Sequence, residues 1–257
     1  MTTARQSKRQ AAFRADYRQR VSPWYSGVGH VALIYGIGIA ALCYYIPHIH
    51  RPTLLEWLIV PAAFLFANVF EWWIHRYVMH RPVKGFMGIY KRHTLAHHQF
   101  FTDAEPTIDT AKDFRITFFP PYALVVFILM SAAGAVVVDW VWSANAAWLL
   151  LCTNTGMYLN YELFHWGCHV KDDRIVRHIP FMNTIRRHHI AHHNQSIMMA
   201  RNMNLTYPIA DWLFGTSDLD RGLLGHVVNG YDTRFVKRNL ERARAGIDDP
   251  LAGRARA

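Results

Sequence analysis

Eleven of the sixteen histidines in this chain fall in four short stretches totalling 23 residues: HRYVMH at 75–80, HTLAHH at 93–98, HWGCH at 165–169 and HHIAHH at 188–193. Neutral imidazole is a borderline ligand suited to iron, zinc and copper, so repeated clustering of this kind points to metal chemistry. Side chains three or four apart on a helix share a face. His93 with His97, His165 with His169, and His189 with His192 and His193 are therefore each expected to converge on one point. His75 and His80, five apart, stand about 140° around an α-helix, so they serve two different metals or lie where the helix is distorted. Zinc takes about four ligands and an octahedral ion about six. Ten imidazoles, His75, His80, His93, His97, His98, His165, His169, His189, His192 and His193, thus imply two ions. Cys43, Cys152 and Cys168 have no close-spaced partners, which argues against a disulfide framework, a zinc ribbon or an iron–sulfur site. A single H-x3-H is weak evidence, and a collar of histidines on lipid headgroups is its rival reading. Four such stretches gathered on one face favour metal. His30, His48, His50, His178 and His226 lie outside the pattern and read as interfacial or hydrogen-bonded histidines.

The gathering depends on long apolar elements. Stretches 29–47, 54–73, 114–138 and 146–164 are each apolar and close to the roughly 20 helical residues that cross a bilayer, and four buried helices of a soluble bundle would show polar stripes that these lack. Pro120 and Pro121 mark either a kink or the true start of the third helix. Six Lys or Arg lie in residues 1–27, six in 74–113 and fourteen after His165, whereas the other two connections hold only Arg51. The positive-inside rule then puts the N-terminus, central loop and C-terminal region on the cytoplasmic side. Two crossings separate the second histidine stretch from the third, so all four stretches emerge on one face. With 52% hydrophobic residues and a formal charge of +10, the composition fits the loops of a membrane protein better than a nucleic-acid binder. The first apolar run reads as a retained anchor. The expected fold is an all-α membrane protein: four transmembrane helices with a cytoplasmic helical cap holding a histidine-rich di-metal site. Its parts are a basic N-terminal segment 1–27, a membrane domain 28–231 and a charged tail 232–257.

From residue 54 to 216 the chain resembles the membrane fatty acid hydroxylase and sterol desaturase superfamily. The match is carried by H-x4-H at His75 and His80, H-x3-HH at His93, His97 and His98, H-x3-H at His165 and His169, and H-x2-HH at His189, His192 and His193. The phrase NLTYPIADWLFGT at 204–216 is similar to the family's closing motif. The second block has three residues between its first histidines where acyl-chain 2-hydroxylases typically have two, which sets it apart from that branch.

The resemblance implies that these ten histidines ligate two iron ions, with zinc a possible substitute, and that His188 is an extra one beside the site or on the surface. It implies an oxygen-dependent hydroxylase of a membrane lipid, acyl chain or sterol-like, with desaturation as the near alternative. A non-catalytic metal protein or a haem electron-transfer protein is the alternative of another class. Partners would be the lipid, dioxygen and a separate ferredoxin- or cytochrome-type donor, because 27 mainly polar residues before the first apolar run are too few to fold a fused donor domain; no nucleic acid is implied. That economy tilts localisation toward a bacterial inner membrane over the endoplasmic reticulum. Glu71, Asn160 and Glu162 are the expected acceptors orienting the imidazoles. Trp72, Trp73, Trp140, Trp142, Trp148 and Trp166 are expected interfacial anchors. Lys91, Arg92, Arg186 and Arg187 form either a surface that steers an acidic donor or part of the positive-inside bias.

Overall fold

The computed structural model describes residues 2–240, with side chains from residue 8 onward. Among these the chain is helical, with one isolated antiparallel bridge between Leu219 and Val236. Six helices carry the architecture: α1 (Thr2–Arg20), α2 (Gly27–Tyr45), α3 (Ile59–Ile74), α4 (Pro121–Val141), α5 (Ala144–His169) and α6 (Met182–His192). Local chemistry fixes their starts. Ser26 caps α2 by accepting from Gly29 N, Ser143 caps α5 by accepting from Ala146 N, and Thr53 forms a capping box with Glu56 just before α3. Of the two readings of Pro120 and Pro121, the structure takes the helix start: Pro121 opens α4 at the position where a missing N–H costs nothing.

Helices α2 to α5 run up and down side by side. At one end Ser143 donates to Glu56 Oε1 at 2.6 Å and His50 N donates to Asn145 Oδ1 at 2.9 Å. At the other, Phe119 N donates to Glu162 Oε1 at 3.1 Å, and Gly27 lies so close to Ala111 that a Cβ there would stand 2.0 Å from its carbonyl oxygen. Helix α5 is the hub, packed against α2, α3, α4 and α6.

Among the described residues three helical stretches, Gly27–His48, Leu54–Met79 and Ala111–Val141, are long and apolar enough to cross a membrane. Four were expected. The fourth, α5, has 26 residues but carries Asn145, Asn154, Asn160 and Glu162, and its position explains why: a helix enclosed by other helices packs polar side chains against protein instead of lipid. The outer helices turn Leu65, Phe66, Leu129, Met130, Val136 and Val137 outward. Trp140, Trp73 and Trp142 are exposed as expected of anchors. Trp72 is not, being 8% exposed and donating from Nε1 to Thr216 Oγ1 at 2.9 Å.

A layer of short helices and turns covers the ends of α3 and α5, and α1 straps it. Arg14 donates from Nε to the Phe100 carbonyl at 2.9 Å, and Arg18 pairs with Asp113 at 2.7 Å and Asp109 at 2.8 Å. The basic N-terminal segment thus includes an arm holding residues 100–113. Past the expected tail boundary at 232, residues 235–237 return to the core, with Phe235 O accepting from Asp220 N at 2.8 Å and Lys237 N donating to Asp218 O at 2.9 Å. The remainder of the tail, from 241, lies outside the described residues.

Candidate metal centre

All ten singled-out histidines are buried where α3, α5, α6 and the 93–98 turn meet. They sort into two groups. His75, His80, His93, His98 and His192 form one, and His97, His165, His169 and His189 the other, with the potential ligand atoms of each group within 4.8 Å of one another. His193 lies between them, its Nε2 3.0 Å from that of His189 and its ring 4.5 Å from that of His98.

The partition differs from simple helical counting, and two wide turns are the reason. Residues His75–Met79 and His93–His97 form π-helical turns, in which residue i+5 folds back over residue i. The amide N–H of His80 donates to the His75 carbonyl at 3.1 Å, and that of His98 donates to His93. His75 and His80 therefore share a group, and the distorted-helix reading of their spacing is the one realised. For the same reason His93 pairs with His98, not His97. On α6 the expected trio divides as well: His189 and His193, four apart, stay together while His192 turns to the other group. The i, i+4 pair His165 and His169 converges as expected. The adjacent pairs His97–His98 and His192–His193 each divide between the two sides because consecutive helical side chains diverge by about 100°.

Within the first group Nε2 of His75 is 2.8 Å from that of His93 and 3.1 Å from that of His80; His80 and His192 approach to 3.0 Å, and His93 and His98 to 3.1 Å. In the second, His97 and His165 stand at 3.2 Å and His169 and His189 at 3.1 Å. In five of the ten the opposite nitrogen faces a main-chain carbonyl: His75 Nδ1 donates to Met203 at 2.5 Å, His192 to Arg201 at 2.8 Å, His169 to Pro106 at 2.6 Å, His193 to Phe101 at 2.9 Å and His97 to Ile116 at 3.2 Å. A neutral imidazole that donates from Nδ1 has only a lone pair at Nε2. Lone pairs facing one another at such distances repel unless a cation lies between them. Two nitrogens about 2.1 Å from one ion and at right angles to each other lie about 3 Å apart, which is the spacing found here. Protonation is opposed as well: burial, reinforced by neighbouring imidazoles, holds His93, His98, His189 and His192 well below the ordinary histidine range, and His80 is pushed down to about 2. The donor set therefore fits one or two divalent cations.

The surrounding supports are not the ones expected. Glu71 accepts from the amides of Leu205 and Thr206, the latter at 2.9 Å, and Glu162 accepts from Phe119 N; both tie helices to loops and neither meets a ligand imidazole. Asp211 does the work assigned to them from one step further out. It accepts from Met203 N at 2.9 Å, Asn204 N at 2.6 Å, His188 Nε2 at 2.9 Å and Thr216 Oγ1 at 2.5 Å, so it fixes the peptide that carries the carbonyl acceptor of His75. His188 is thereby a buried brace outside both groups. Asn202, at φ 57, makes the left-handed turn before Met203 and bridges the His188 carbonyl and Asp218 N. Arg187 is fully buried against Asp218, and Arg186 donates to Tyr231 Oη at 2.9 Å and to the Gly167 carbonyl, so neither can meet a partner protein.

A sequence model of the fatty acid hydroxylase family matches residues 60–216, which contain every histidine of both groups. The chain belongs to the fatty acid hydroxylase family. No curated protein and no solved structure matches it. Membership in the family implies an oxidoreductase, the histidine-rich site is suited to metal, and three apolar helices among the described residues fit an integral membrane protein.

Proposed function

We propose that this chain hydroxylates a C–H bond of a membrane lipid, acyl chain or sterol-like, using dioxygen and two iron ions held by the ten histidines. The observation that carries the proposal is the inward convergence of Nε2 atoms while five of the outer nitrogens are fastened to carbonyls. An unactivated C–H bond offers nothing to acids or bases, and a bound iron pair would supply the redox capacity to activate dioxygen against it.

The chain's own contribution is to preorganise. The carbonyls of Met203, Arg201, Pro106, Phe101 and Ile116 fix tautomer and ring orientation. Burial keeps the imidazoles neutral and water out. All-imidazole ligation also leaves the ions more positive than carboxylate-rich di-iron bundles do.

In this reading α5 is a fourth membrane crossing, the histidine-bearing face is cytoplasmic, and the substrate enters from the bilayer. The up-and-down order of α2 to α5 and the common end of α3 and α5 support it. Electrons come from a separate ferredoxin- or cytochrome-type protein, and a bacterial inner membrane is the proposed location. Metal analysis of anaerobically purified protein, joined to lipid mass spectrometry of cells with and without the gene, tests the proposal. Two irons per chain and a lipid gaining one oxygen are expected. A lipid losing two hydrogens would assign desaturation instead, and a metal-free protein or an unchanged lipid profile would overturn the reading.

A further inference from the structure

Beside the histidine layer, and outside both groups, a cavity of about 590 Å³ opens between the start of α2 and the start of α4. Its walls are Trp24, Tyr25, His30, Leu33, Pro121 and Tyr122, with Arg92 and Arg115 at the same site. Trp24 is 94% and Tyr122 70% exposed, and Leu33 is half exposed, so the rim is aromatic and apolar, as expected where a protein meets the headgroup level of a bilayer.

The polar groups divide into those already committed and those left open. His30 is committed at both nitrogens, Nδ1 to Tyr25 Oη at 2.7 Å and Nε2 to the Phe119 carbonyl at 2.9 Å. Arg92 donates through Nη2 to the Phe118 carbonyl at 2.7 Å and to that of Arg115, which holds its charge at the cavity wall. Among the described residues Arg115 forms no direct ion pair, and Arg92 none either, the Glu162 carboxylate acting on it only at longer range, although the nearby Arg14 and Arg18 both pair directly. Two guanidiniums with no direct ion pair beside an apolar hollow match an anion attached to a hydrocarbon tail.

We propose that this cavity binds the phosphate headgroup of an anionic membrane phospholipid, with its acyl chains lying along the exposed faces of α2 and α4. The lipid is separate from the one oxidised. Only the 115–118 segment divides it from the metal groups: Arg92 holds the carbonyls on either side of Ile116, whose own carbonyl orients His97.

The inference rests on the membrane reading above and not on the metal reading, and its test reads lipid retention alone. The full-length protein is reconstituted into phosphatidylcholine vesicles with or without phosphatidylglycerol, extracted, and weighed by native mass spectrometry. Wild type should retain one phosphatidylglycerol per chain. Arg115→Gln, at an exposed residue outside the metal groups, should weaken retention about fivefold, while Lys112→Gln, at an exposed residue outside the cavity, should not. Equal loss in both variants would reduce the effect to diffuse surface charge and overturn the site. So would equal retention of phosphatidylcholine, or displacement of phosphatidylglycerol by inorganic phosphate alone, which would mark a site for free anions. Unchanged helical content and metal content in Arg115→Gln confirm that the comparison is made on folded protein.

Discussion

The main-chain oxygen of Phe101 accepts from Nδ1 of His193 at 2.9 Å, and the Phe101 ring stacks on His169 with centroids 4.0 Å apart. One residue thereby touches two histidines. The peptide before it is held from outside by Arg14, which bonds the Phe100 carbonyl and lies over the Phe100 ring at 4.7 Å. Arg14→Ala should therefore loosen a support of the centre without touching a ligand. Removing a direct support costs about 10–100-fold in metal affinity, and this remote one should cost less, about threefold to tenfold. Chelator competition on the purified protein checks it, and an unchanged affinity would mean α1 is only a lid.

His97 and His192 belong to different groups. His97→Ala and His192→Ala should each lower the metal content by about one ion per chain and abolish lipid oxidation, with membrane insertion intact because the site lies beyond the apolar cores of the helices. Elemental analysis and protease protection provide the measurements. Full turnover in both variants would contradict the ligand assignment.

Buried, and with its Nδ1 3.2 Å from the Gly222 carbonyl, His226 stands apart from both groups. His226→Ala should leave metal content and activity near wild type while lowering stability by about 1–2 kcal/mol, as for one lost buried polar contact. A large loss of bound metal in this variant would show that the site has been drawn in the wrong place.

Asp218 faces the fully buried Arg187. Burial raises a carboxyl group's pKa, but the charge and hydrogen bonds of Arg187 outweigh it and hold Asp218 below its ordinary value. A depressed folded pKa contributes stability that is present above the unfolded value of about 3.9 and lost as pH falls through the folded value. Wild type should lose thermal stability as pH drops from about 5 to about 3. Asp218→Asn should be destabilised at neutral pH by about 3–5 kcal/mol, because Arg187 is left unpaired, and should fall less steeply in acid. Thermal melts across that range are the check.

The ten histidines were legible because residue type and clustering survive any error in local geometry. Their division was not, since the 3.6-residue rule assigns His93 to His97 and parts His75 from His80, and no side chain announces a π turn. The acceptors of the outer nitrogens were illegible for a simpler reason: a main-chain carbonyl at Met203 or Pro106 leaves no mark on the sequence. Length and apolarity located all four long helices, while α5 is less apolar than the other three because protein encloses it. Arg186 and Arg187 resembled surface charges until their partners, Tyr231 and Asp218, came from distant parts of the chain.

Each wide turn holds one amino acid more than a regular coil would need. Deleting a single codon inside either, at Tyr77 or Leu95 for instance, would let the turn close to a regular α-helix with its paired histidines four apart and still on one face, whereas inserting one would leave them six apart, about 240° around a regular helix, and on different faces. Exchanging the same position for another apolar residue would leave the spacing whole. An insertion in either turn is therefore more dangerous than a substitution at the same place.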